Sequence, residues 1–523
     1  MTVAPFPGAR RGLRAAMNRA LGHGQRRTLG MALLSLIVSV EFFEHIVFVF
    51  SAQHIMGGID ADPRGFALVQ GAYAFGSMLM IVKQQWLART LGYRRYLLLA
   101  LGLFLAGTLM AAGSGGLGAM TAARFVQGFG GGALFTSARV LVTLMVAPAH
   151  RPRALRYFMV GIFAASALAP AVAGELIEWG DWRDVFYVNV PFILAALLGA
   201  WLWLPDAEPG ARAARPELGP LVGFGLGVAA LQLACSEARY DIFSQPARPL
   251  VLAAAGGLLL ALFLRHQWRH ERPVIRLHAL RDPVYRIGLA LYFMYYLISY
   301  LSAYLFPVFA ERALGMPVAA VGWLNAAAGL VSLCGILVYV RVAARLPRKK
   351  PLMVLGLVLM AGAAWWFAAL PDTATRAQLL PGLVLKGLFG VLVVIPVAGA
   401  TFRGLAADLF SHGYQTKNLM RQLASSLAAS LGAVMLANRE AALRAELAGQ
   451  LAHAQTQDWF AQTQAALQGR GLDALRAAQW AQAWLDGVVS RQALLLASDD
   501  LYRMIAGLAV AGIALVLCQR RVA

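Results

Sequence analysis

Long apolar runs alternate with short polar segments from one end of the 523-residue chain to the other. Each run holds about twenty residues, the length at which an α-helix crosses roughly 30 Å of hydrocarbon. The pattern predicts an all-α, polytopic membrane protein with fourteen spans. The predicted spans are residues 29–55, 65–87, 95–113, 118–146, 156–179, 185–204, 218–236, 249–266, 286–308, 317–340, 351–370, 379–402, 415–437 and 501–518.

The composition favours this class, since 59% of the residues are hydrophobic and only 14% are charged. The formal net charge of +21 raises the question of a nucleic-acid partner. The basic residues lack the interleaved aromatics of a nucleic-acid reader and cluster in alternate short loops, as topology signals do. We therefore predict that the chain is surrounded by a lipid bilayer and that it binds no nucleic acid.

The orientation follows from the loops after every second predicted span, which are rich in arginine and lysine. Such residues favour the cytoplasmic side of a membrane, so both ends of the chain are predicted to be cytoplasmic. These loops carry the clusters Arg89, Arg94 and Arg95; Arg151, Arg153 and Arg156; Arg265, Arg269, Arg272, Arg276 and Arg281; and Arg341, Arg345, Arg348, Lys349 and Lys350. The opposite short loops carry the single arginines Arg64, Arg183, Arg312 and Arg376.

Two features of the first half of the chain recur in the second half. A basic loop follows both the second and the tenth span, and a cation followed by glycines marks both the fourth and the twelfth. Six spans, two inserted spans and six more would place these features in equivalent positions, as in many secondary transporters. The predicted organisation is a cytoplasmic tail (1–28), a six-helix bundle (29–204), two inserted helices with linkers (205–285), a second six-helix bundle (286–518) and a cytoplasmic tail (519–523).

One predicted loop is long and lies on the outer side, at residues 438–500. Its richness in Ala, Gln and Leu predicts one or two amphipathic helices lying at the outer membrane surface. The alternative is that the loop is a docking surface for an envelope partner, such as a periplasmic adaptor protein.

Four motifs together resemble the fourteen-helix drug:proton antiporters of the major facilitator superfamily. In the segment 167–192, Pro170 and Gly174 match the antiporter motif of the fifth helix, whereas Ala169 and Ala173 replace two of that motif's glycines. A methyl group at each of these positions is expected to loosen close backbone packing. The four segments are ARFVQGFGGG (123–132), ALAPAVAGELIEWGDWRDVFYVNVPF (167–192), LKGLFGVLVVIP (385–396) and NLMRQLASSLAASLGA (418–433).

The first inter-helix loop departs from the family pattern. Where the family usually has a Gly and then an Asp, this chain has Gln85 and Arg89. In the family that acid is thought to help hold the outward-open state, so its replacement by a cation implies a different or looser conformational latch. The later residues of the motif, Gly92, Arg94 and Arg95, are present.

Three ionisable residues interrupt the first apolar run, in the stretch VEFFEHIVFVF at 40–50. Glu41, Glu44 and His45 are spaced so that they share one helix face. A charge at membrane depth is costly unless it faces a polar interior or is neutralised. Burial favours the protonated form of a carboxyl group, so a glutamate whose exposure changes can load and release a proton.

The resemblance implies specific roles for these residues. Glu44 matches an acid of the family's first helix and Arg124 an arginine of its fourth, so Glu44 is expected to carry the proton and Arg124 to bias its ionisation. Glu41 is a candidate second proton stop or substrate contact, and His45 could share the proton. The alternative is structural: the glutamates pair with cations such as Lys83 and Arg124, and His45 is a packing residue.

The remaining candidates lie on other predicted spans. Lys386 is a candidate cavity cation, and Arg421 belongs to a cytoplasmic gate by resemblance. Lys83 either snorkels to the cytoplasmic surface or replaces the contacts of the missing loop acid. Tyr73, Gln127, Tyr292, Tyr295 and Tyr296 either line a substrate path or pack in the core.

The resemblance implies two six-helix bundles that rock about a central site and export a small organic compound in exchange for protons. It also implies the inner membrane of a cell as the location. The sequence shows no phosphate-binding loop, metal-ligand cluster or catalytic triad, so we expect a non-enzymatic transporter without cofactors, driven by the proton gradient. Two alternatives stay open: a membrane sensor or scaffold with the same fold, and proton-coupled uptake.

Overall fold

The structure is a computed structural model that describes residues 22–61, 63–204, 218–241, 245–270, 273, 275–342, 348–406, 409–450 and 454–519. Within these ranges the only regular elements are helices, which confirms the all-α prediction. Several predicted features lie outside the described part of the chain. They are most of the N-terminal tail, the linker 205–217, residues 271–272 and 343–347 with their arginines, and the last four residues.

The described residues of the first half form eight helices, two of them short. They are α1 (His23–Phe50), α2 (Ala52–Gly58), α3 (Pro63–Leu91), α4 (Tyr93–Ala112), α5 (Leu117–Met145), α6 (Arg151–Trp179), α7 (Asp184–Tyr187) and α8 (Val190–Trp203). Two further helices, α9 (Leu218–Asp241) and α10 (Ala247–Arg269), form the inserted pair.

The second half repeats the arrangement of six long helices. They are α11 (Pro283–Val308), α12 (Val318–Val342), α13 (Lys350–Ala368), α14 (Arg376–Thr401), α15 (Phe410–Gln450) and α17 (Ala474–Cys518), with α16 (Ala454–Gly469) between the last two. Short 3-10 turns precede α6 and α11, and a π-helical turn follows α11.

Each of the fourteen predicted spans coincides with a helix, and twelve of the described helices are long and apolar enough to cross a membrane. The two others are α3 and α9. Helix α3 carries a polar stripe that includes the buried residues Ser77, Gln84 and Gln85, and the apolar part of α9 is only Gly219–Ala234. The multi-pass membrane architecture is therefore established, and the count of fourteen stays a prediction.

The two halves meet mainly along two helix pairs, α3 with α15 and α6 with α12, with smaller contacts of α1 with α11 and of α5 with α15. Helices α6 and α12 approach closely because glycines of α12 face the antiporter-motif segment. A Cβ atom at Gly322 would lie 2.4 Å from the carbonyl oxygen of Pro170, and one at Gly329 would lie 2.4 Å from Cα of Ala167. Gly174 likewise faces the backbone of α12. The partner helix therefore supplies glycines opposite Ala167 and Pro170, and the looser packing expected at Ala169 and Ala173 stays a prediction.

The long predicted outer loop is a helical hairpin. Helices α15 and α17 have 41 and 45 residues, or about 60 Å and 68 Å at 1.5 Å per residue, twice the hydrocarbon thickness. Ion pairs join the two helices beyond the apolar segments, from Arg439 to Asp500 and from Arg444 to Asp486, each at 2.6 Å.

The expectation of separate helices lying flat at the surface is wrong for most of this segment. Residues 438–500 contain no proline, so each flanking helix continues without leaving backbone groups unpaired at a break. Trp459 of α16 stacks on Trp484 of α17 with ring centroids 4.7 Å apart, which ties the short helix to the hairpin. The docking surface for an envelope partner stays a prediction.

Candidate functional site

Helix α1 carries the two acids through the middle of the molecule. It is uninterrupted from His23 to Phe50, and the side chains of Glu41 and Glu44 are 0% and 1% exposed. The two carboxylates nevertheless have different partners. Glu44 is bonded within the first half of the chain, whereas Glu41 is bonded to the second half.

The Glu44 carboxylate accepts hydrogen bonds from two neutral amides. Gln127 Nε2 on α5 donates to Oε1 at 2.8 Å, and Asn189 Nδ2, just before α8, donates to Oε2 at 3.0 Å. Gln127 also donates to Thr108 Oγ1 at 2.8 Å, and Asn189 to the carbonyl oxygen of Val40 at 3.0 Å. Both amides are therefore held in place by further contacts, and the carboxylate sits in a fixed polar cradle.

Arg124 reaches Glu44 through Gln127. A terminal nitrogen of its guanidinium donates to Gln127 Oε1. The guanidinium carbon lies 3.7 Å from the centroid of the Phe48 ring and 4.3 Å from that of Tyr73, within cation–π range. The structure thus brings Arg124 and Glu44 into one hydrogen-bond network. The side-chain amide of Gln127 lies between them, whereas the sequence predicted a direct charge effect of Arg124 on Glu44.

The Glu41 carboxylate forms an ion pair across the two halves. Arg421 of α15 donates to Oε1 at 2.8 Å, and the Arg421 side chain is only 3% exposed. The guanidinium also lies 4.8 Å from the Phe42 ring centroid. Sequence reasoning considered Lys83 as a partner of this acid, but Arg421 takes that place, and the half-buried Lys83 lies further along α3.

Three neutral contacts of α15 accompany this ion pair. Gln415 donates to the carbonyl oxygen of Val82 at 2.9 Å, Gln422 donates to Ser77 Oγ at 2.9 Å, and Asn418 donates to Thr136. These contacts join α15 to α3 and α5 at the end of the molecule where α1 begins, which we call the closed end. Sequence reasoning quoted the segment 418–433 but missed Asn418 and Gln422 in it and Gln415 just before it. The spacing of three to four residues between these amides was the available signal.

A cavity of about 300 Å³ lies on the other side of the ion pair, at the lower limit of typical ligand pockets. It runs from His45, Tyr73 and Arg124 toward the opposite end of the molecule, between α1, α3, α11 and α15. Arg312 and Glu440 lie near its mouth, 3.9 Å apart and partly exposed. Its lining also includes Phe48, Gln53, Phe66, Gln70, Tyr300, Tyr304, Gln422, Ser425 and Ser426.

Three of the lining side chains keep a polar atom without a partner. His45 Nε2, Tyr73 Oη and Arg124 Nε are buried and have no hydrogen-bond partner within the structure. Buried polar atoms are usually satisfied, so these three stand out in the wall of the cavity. The atoms themselves are fully buried, and the Tyr73 hydroxyl lies beside Gly131 of α5. The lining side chains combine polar groups with aromatic rings, the composition of an organic-ligand site.

The other predicted cavity residues lie outside this lining. Tyr292 and Tyr296 stack on each other with centroids 5.8 Å apart, and Tyr295 packs 5.3 Å from Phe389. The Lys386 ammonium lies 5.2 Å from the Phe306 ring centroid inside the second bundle. Gln127 also lies outside the lining, but it connects the cavity residue Arg124 to Glu44.

Sequence reasoning missed a buried lysine near the ion pair. Lys417 is 2% exposed, and its ammonium lies 4.1 Å from the Phe135 ring centroid and 5.0 Å from that of Tyr414. It is one helical turn before Arg421, so α15 places two cations on one face opposite α1. Its presence inside the predicted span 415–437 was the sequence signal that could have identified Lys417.

The loop between α3 and α4 lies beyond this network. Arg89 is exposed in the last turn of α3, Arg95 is exposed in the first turn of α4, and Arg94 is half-buried. Gly92 has φ 77°, a left-handed conformation that disfavours side chains, which explains why glycine stands at this position.

The chain belongs to the Major Facilitator Superfamily, whose family model matches residues 28–429. Among its relatives, the putative multidrug resistance protein MdtD of Salmonella heidelberg (strain SL476) is 25% identical over 383 residues, 72% of this chain and 79% of the relative. The uncharacterized MFS-type transporter YhcA of Bacillus subtilis (strain 168) is 23% identical over 380 residues, 72% of this chain and 69% of the relative.

Solved structures show the same fold. A structure from a study of proton-dependent oligopeptide transporters aligns with TM-score 0.57 and 17% identity, covering 94% of this chain and 98% of that chain. A bacterial homolog of the human lysosomal transporter Spinster, in an inward-facing conformation, aligns with TM-score 0.57 and 14% identity, covering 95% and 97%. The described residues contain no group of three or more His, Cys, Asp or Glu side chains that could hold a metal.

Proposed function

We propose that this protein exports a small organic compound in exchange for protons by alternating access, with the proton gradient as its energy source and no cofactor. The observation that carries the proposal is Glu44, an acid buried at membrane depth and linked through Gln127 to the cavity residue Arg124. In this proposal the chain lies in the inner membrane with both termini cytoplasmic, as the basic loops predict.

Protonation of Glu44 weakens its cradle. Both amide nitrogens donate to the carboxylate, and the oxygen that takes the proton becomes a poorer acceptor whose hydroxyl needs an acceptor of its own. The amide on that oxygen is then held less strongly. Because these amides come from α5 and the start of α8, a proton on Glu44 changes contacts between three segments of the first bundle.

The cavity supplies the substrate side of the exchange. Its aromatic walls and polar lining side chains suit a compound with a ring and a hydrogen-bonding group. A substrate bound at the cavity floor contacts Arg124, whose other contact is the amide that holds Glu44. Substrate and proton therefore act on one network, which is the physical requirement for coupling them.

The comparisons favour export over uptake. The relatives named as putative multidrug resistance proteins match most of the chain, and the antiporter motif at Pro170 and Gly174 lies at the close contact between the two halves. The oligopeptide transporters align at only 17% identity and support the fold alone.

The test is substrate-dependent proton flux in liposomes containing the purified protein. A pH gradient is imposed, and a pH-sensitive dye reports proton movement when ethidium, tetraphenylphosphonium, salicylate or nalidixic acid is added. Proton efflux from the acidic compartment with at least one compound, lost in Glu44→Gln and kept in the exposed control Arg153→Gln, is the expected result. A flux that is identical in Glu44→Gln would remove Glu44 as the proton carrier, and no flux with any compound would favour the scaffold alternative.

A further inference from the structure

We propose that the inserted helices α9 and α10 form a side wall of the cavity: they cover the seam between α3 and α15 and keep lipid acyl chains, and apolar compounds dissolved among them, out of the substrate path. Helix α9 packs on α3 of the first half and on α15 of the second, and α10 packs on α9. The proposal rests on the cavity being the substrate path of the proposed function, but not on its coupling to protons.

The seam between α3 and α15 is held in two different ways. Toward the closed end, Gln415 and Gln422 of α15 bond α3 directly. Nearer the cavity mouth, Gln232 of α9 reaches the seam. Its Nε2 donates to Ser426 Oγ of α15 at 3.4 Å, and a Cβ atom on Gly71 of α3 would lie 2.7 Å from its Oε1. One side chain of the inserted pair therefore contacts both halves of the chain.

These contacts lie directly behind the cavity. Gly71 and Ser426 both line it, whereas none of the described residues of α9 does. Gln232 thus stands outside the wall, at a place where a residue without a side chain leaves the wall thin. An amide at membrane depth is stabilised by hydrogen bonds between helices, and the bond to Ser426 turns this face of α9 toward the seam.

The two faces of α9 have different surroundings. Phe224 and Val228 are buried in an apolar cluster that also contains side chains of α3, α10 and α15, and Gln232 follows them one helical turn further along the same face. Val222 and Leu226, on the opposite face, are 57% and 58% exposed, as expected of side chains that meet lipid. Helix α9 is therefore interposed between the seam and the surrounding bilayer.

Helix α10 braces α9 in this position. A Cβ atom on Gly256 of α10 would lie 2.8 Å from the carbonyl oxygen of Gly227, so the two helices approach backbone to backbone. Phe263 of α10 packs on Phe224 with ring centroids 4.8 Å apart. Close approach through small residues is a common basis of helix association in membranes, and here it holds α9 against the seam.

A barrier at this place matters because the proposed substrate and the lipid are both apolar. A compound with aromatic rings moves favourably from water into hydrocarbon. A gap beside the cavity would therefore admit acyl chains or return exported substrate to the bilayer. The inserted pair fills that gap from behind and leaves the cavity itself free.

The test asks whether lipid reaches a label inside the cavity. The lining residue Ser425 is substituted with cysteine in a background without native cysteines and labelled with bimane, and the protein is placed in nanodiscs of ordinary or dibrominated phosphatidylcholine. Bromine on an acyl chain quenches a fluorophore that the chain touches, and iodide in the buffer quenches one that water reaches. The same label at Leu258, an exposed residue of α10, shows the quenching that full contact with brominated lipid gives.

In the otherwise unchanged protein, iodide should quench the cavity label and brominated lipid should not. The seam variant carries Phe224→Ala, Val228→Ala and Gln232→Ala, which together remove the side chains that fill the seam. Brominated lipid should then quench the cavity label, toward the level seen at Leu258. Iodide quenching should persist, because the mouth of the cavity is unchanged.

The matched control truncates three exposed side chains of the same helix, with Val222→Ala, Leu226→Ala and Leu233→Ala. It should leave the cavity label unquenched by brominated lipid. Should the seam variant fail to fold, Gln232→Ala and Gln232→Leu form a milder pair: alanine leaves a gap and should admit lipid, whereas leucine fills the space and should not. Equal quenching in these two variants would contradict the proposal.

Two results would overturn the side wall. One is quenching of the cavity label by brominated lipid in the unchanged protein, since the seam would then be open despite α9. The other is a cavity label that stays unquenched in the folded seam variant while the label at Leu258 is quenched. Neither measurement involves proton movement, so proton antiport could fail its own test while this result stands, and the reverse.

Discussion

Substitution of Gly322 by alanine tests the close contact between the two bundles. The added Cβ would lie 2.4 Å from the carbonyl oxygen of Pro170, whereas ordinary contacts begin at 3.4 Å. The clashing atom belongs to the backbone, so no change of rotamer can relieve it, and α6 and α12 must separate by about 1 Å. Overpacking of this kind costs about 1–3 kcal/mol.

A glycine without neighbours provides the matched control. Gly102 lies inside α4 and has no heavy atom within 4 Å of an added Cβ. Replacing a glycine by alanine inside an unobstructed helix stabilises it by about 0.5–1 kcal/mol. The two variants therefore make the same chemical change in a helix and are expected to shift stability in opposite directions.

The assay is thermal unfolding of the purified protein in detergent, followed by tryptophan fluorescence. Gly322→Ala should lower the midpoint by a few degrees, since about 1 kcal/mol corresponds to roughly 2–4 °C in domains of 150–250 residues. Gly102→Ala should raise it by a smaller amount. Equal midpoints for the two variants would show that α6 and α12 do not approach as closely as the structure places them.

Two further substitutions test the site and the hairpin. Gln127→Leu removes a donor to Glu44 and the acceptor of Arg124, so it should abolish substrate-dependent proton flux and destabilise the fold by about 1–3 kcal/mol. The control Thr108→Val removes only a side contact of Gln127 and should keep most of the flux. Full flux in Gln127→Leu would contradict the coupling of Arg124 to Glu44 through Gln127. Arg444→Ala breaks an exposed ion pair, so thermal unfolding should shift by less than about 1 kcal/mol, and a larger loss would mean that the hairpin has a structural role beyond this contact.

The course of the helices could be predicted because hydropathy acts locally. A run such as 29–55 is set by its own side chains, and α1 ends within a few residues of that prediction. Helix α3 is less apolar than the other long helices because Ser77, Gln84 and Gln85 are buried against protein, and Ser77 accepts a bond from Gln422 of the second bundle. Residues 438–500 were harder to place because periodicity predicts a helix but not the direction in which it leaves the bundle.

The partners of the acids could be predicted only in part. The spacing of Glu41 and Glu44 put both on one helix face, but which neighbour each meets depends on how α1 is rotated against α5 and α15. Arg421 is 380 positions away from Glu41 in the chain, and only the docking of the two halves brings them together. Asn189 belongs to the segment 167–192 that resembles the family. Its bond to Glu44 depends on its position just before the first residue of α8, and hydropathy does not show where that helix begins.

The most direct test of proton coupling separates substrate movement from the use of the gradient. Liposomes containing the protein are loaded with the compound that gives the largest proton flux, and its radiolabelled form is followed with and without a pH gradient. The account predicts that Glu44→Gln still exchanges labelled for unlabelled compound at equal pH but no longer concentrates it when a pH gradient is imposed. Accumulation driven by the gradient in Glu44→Gln at the rate of the unchanged protein would contradict the role assigned to this buried acid.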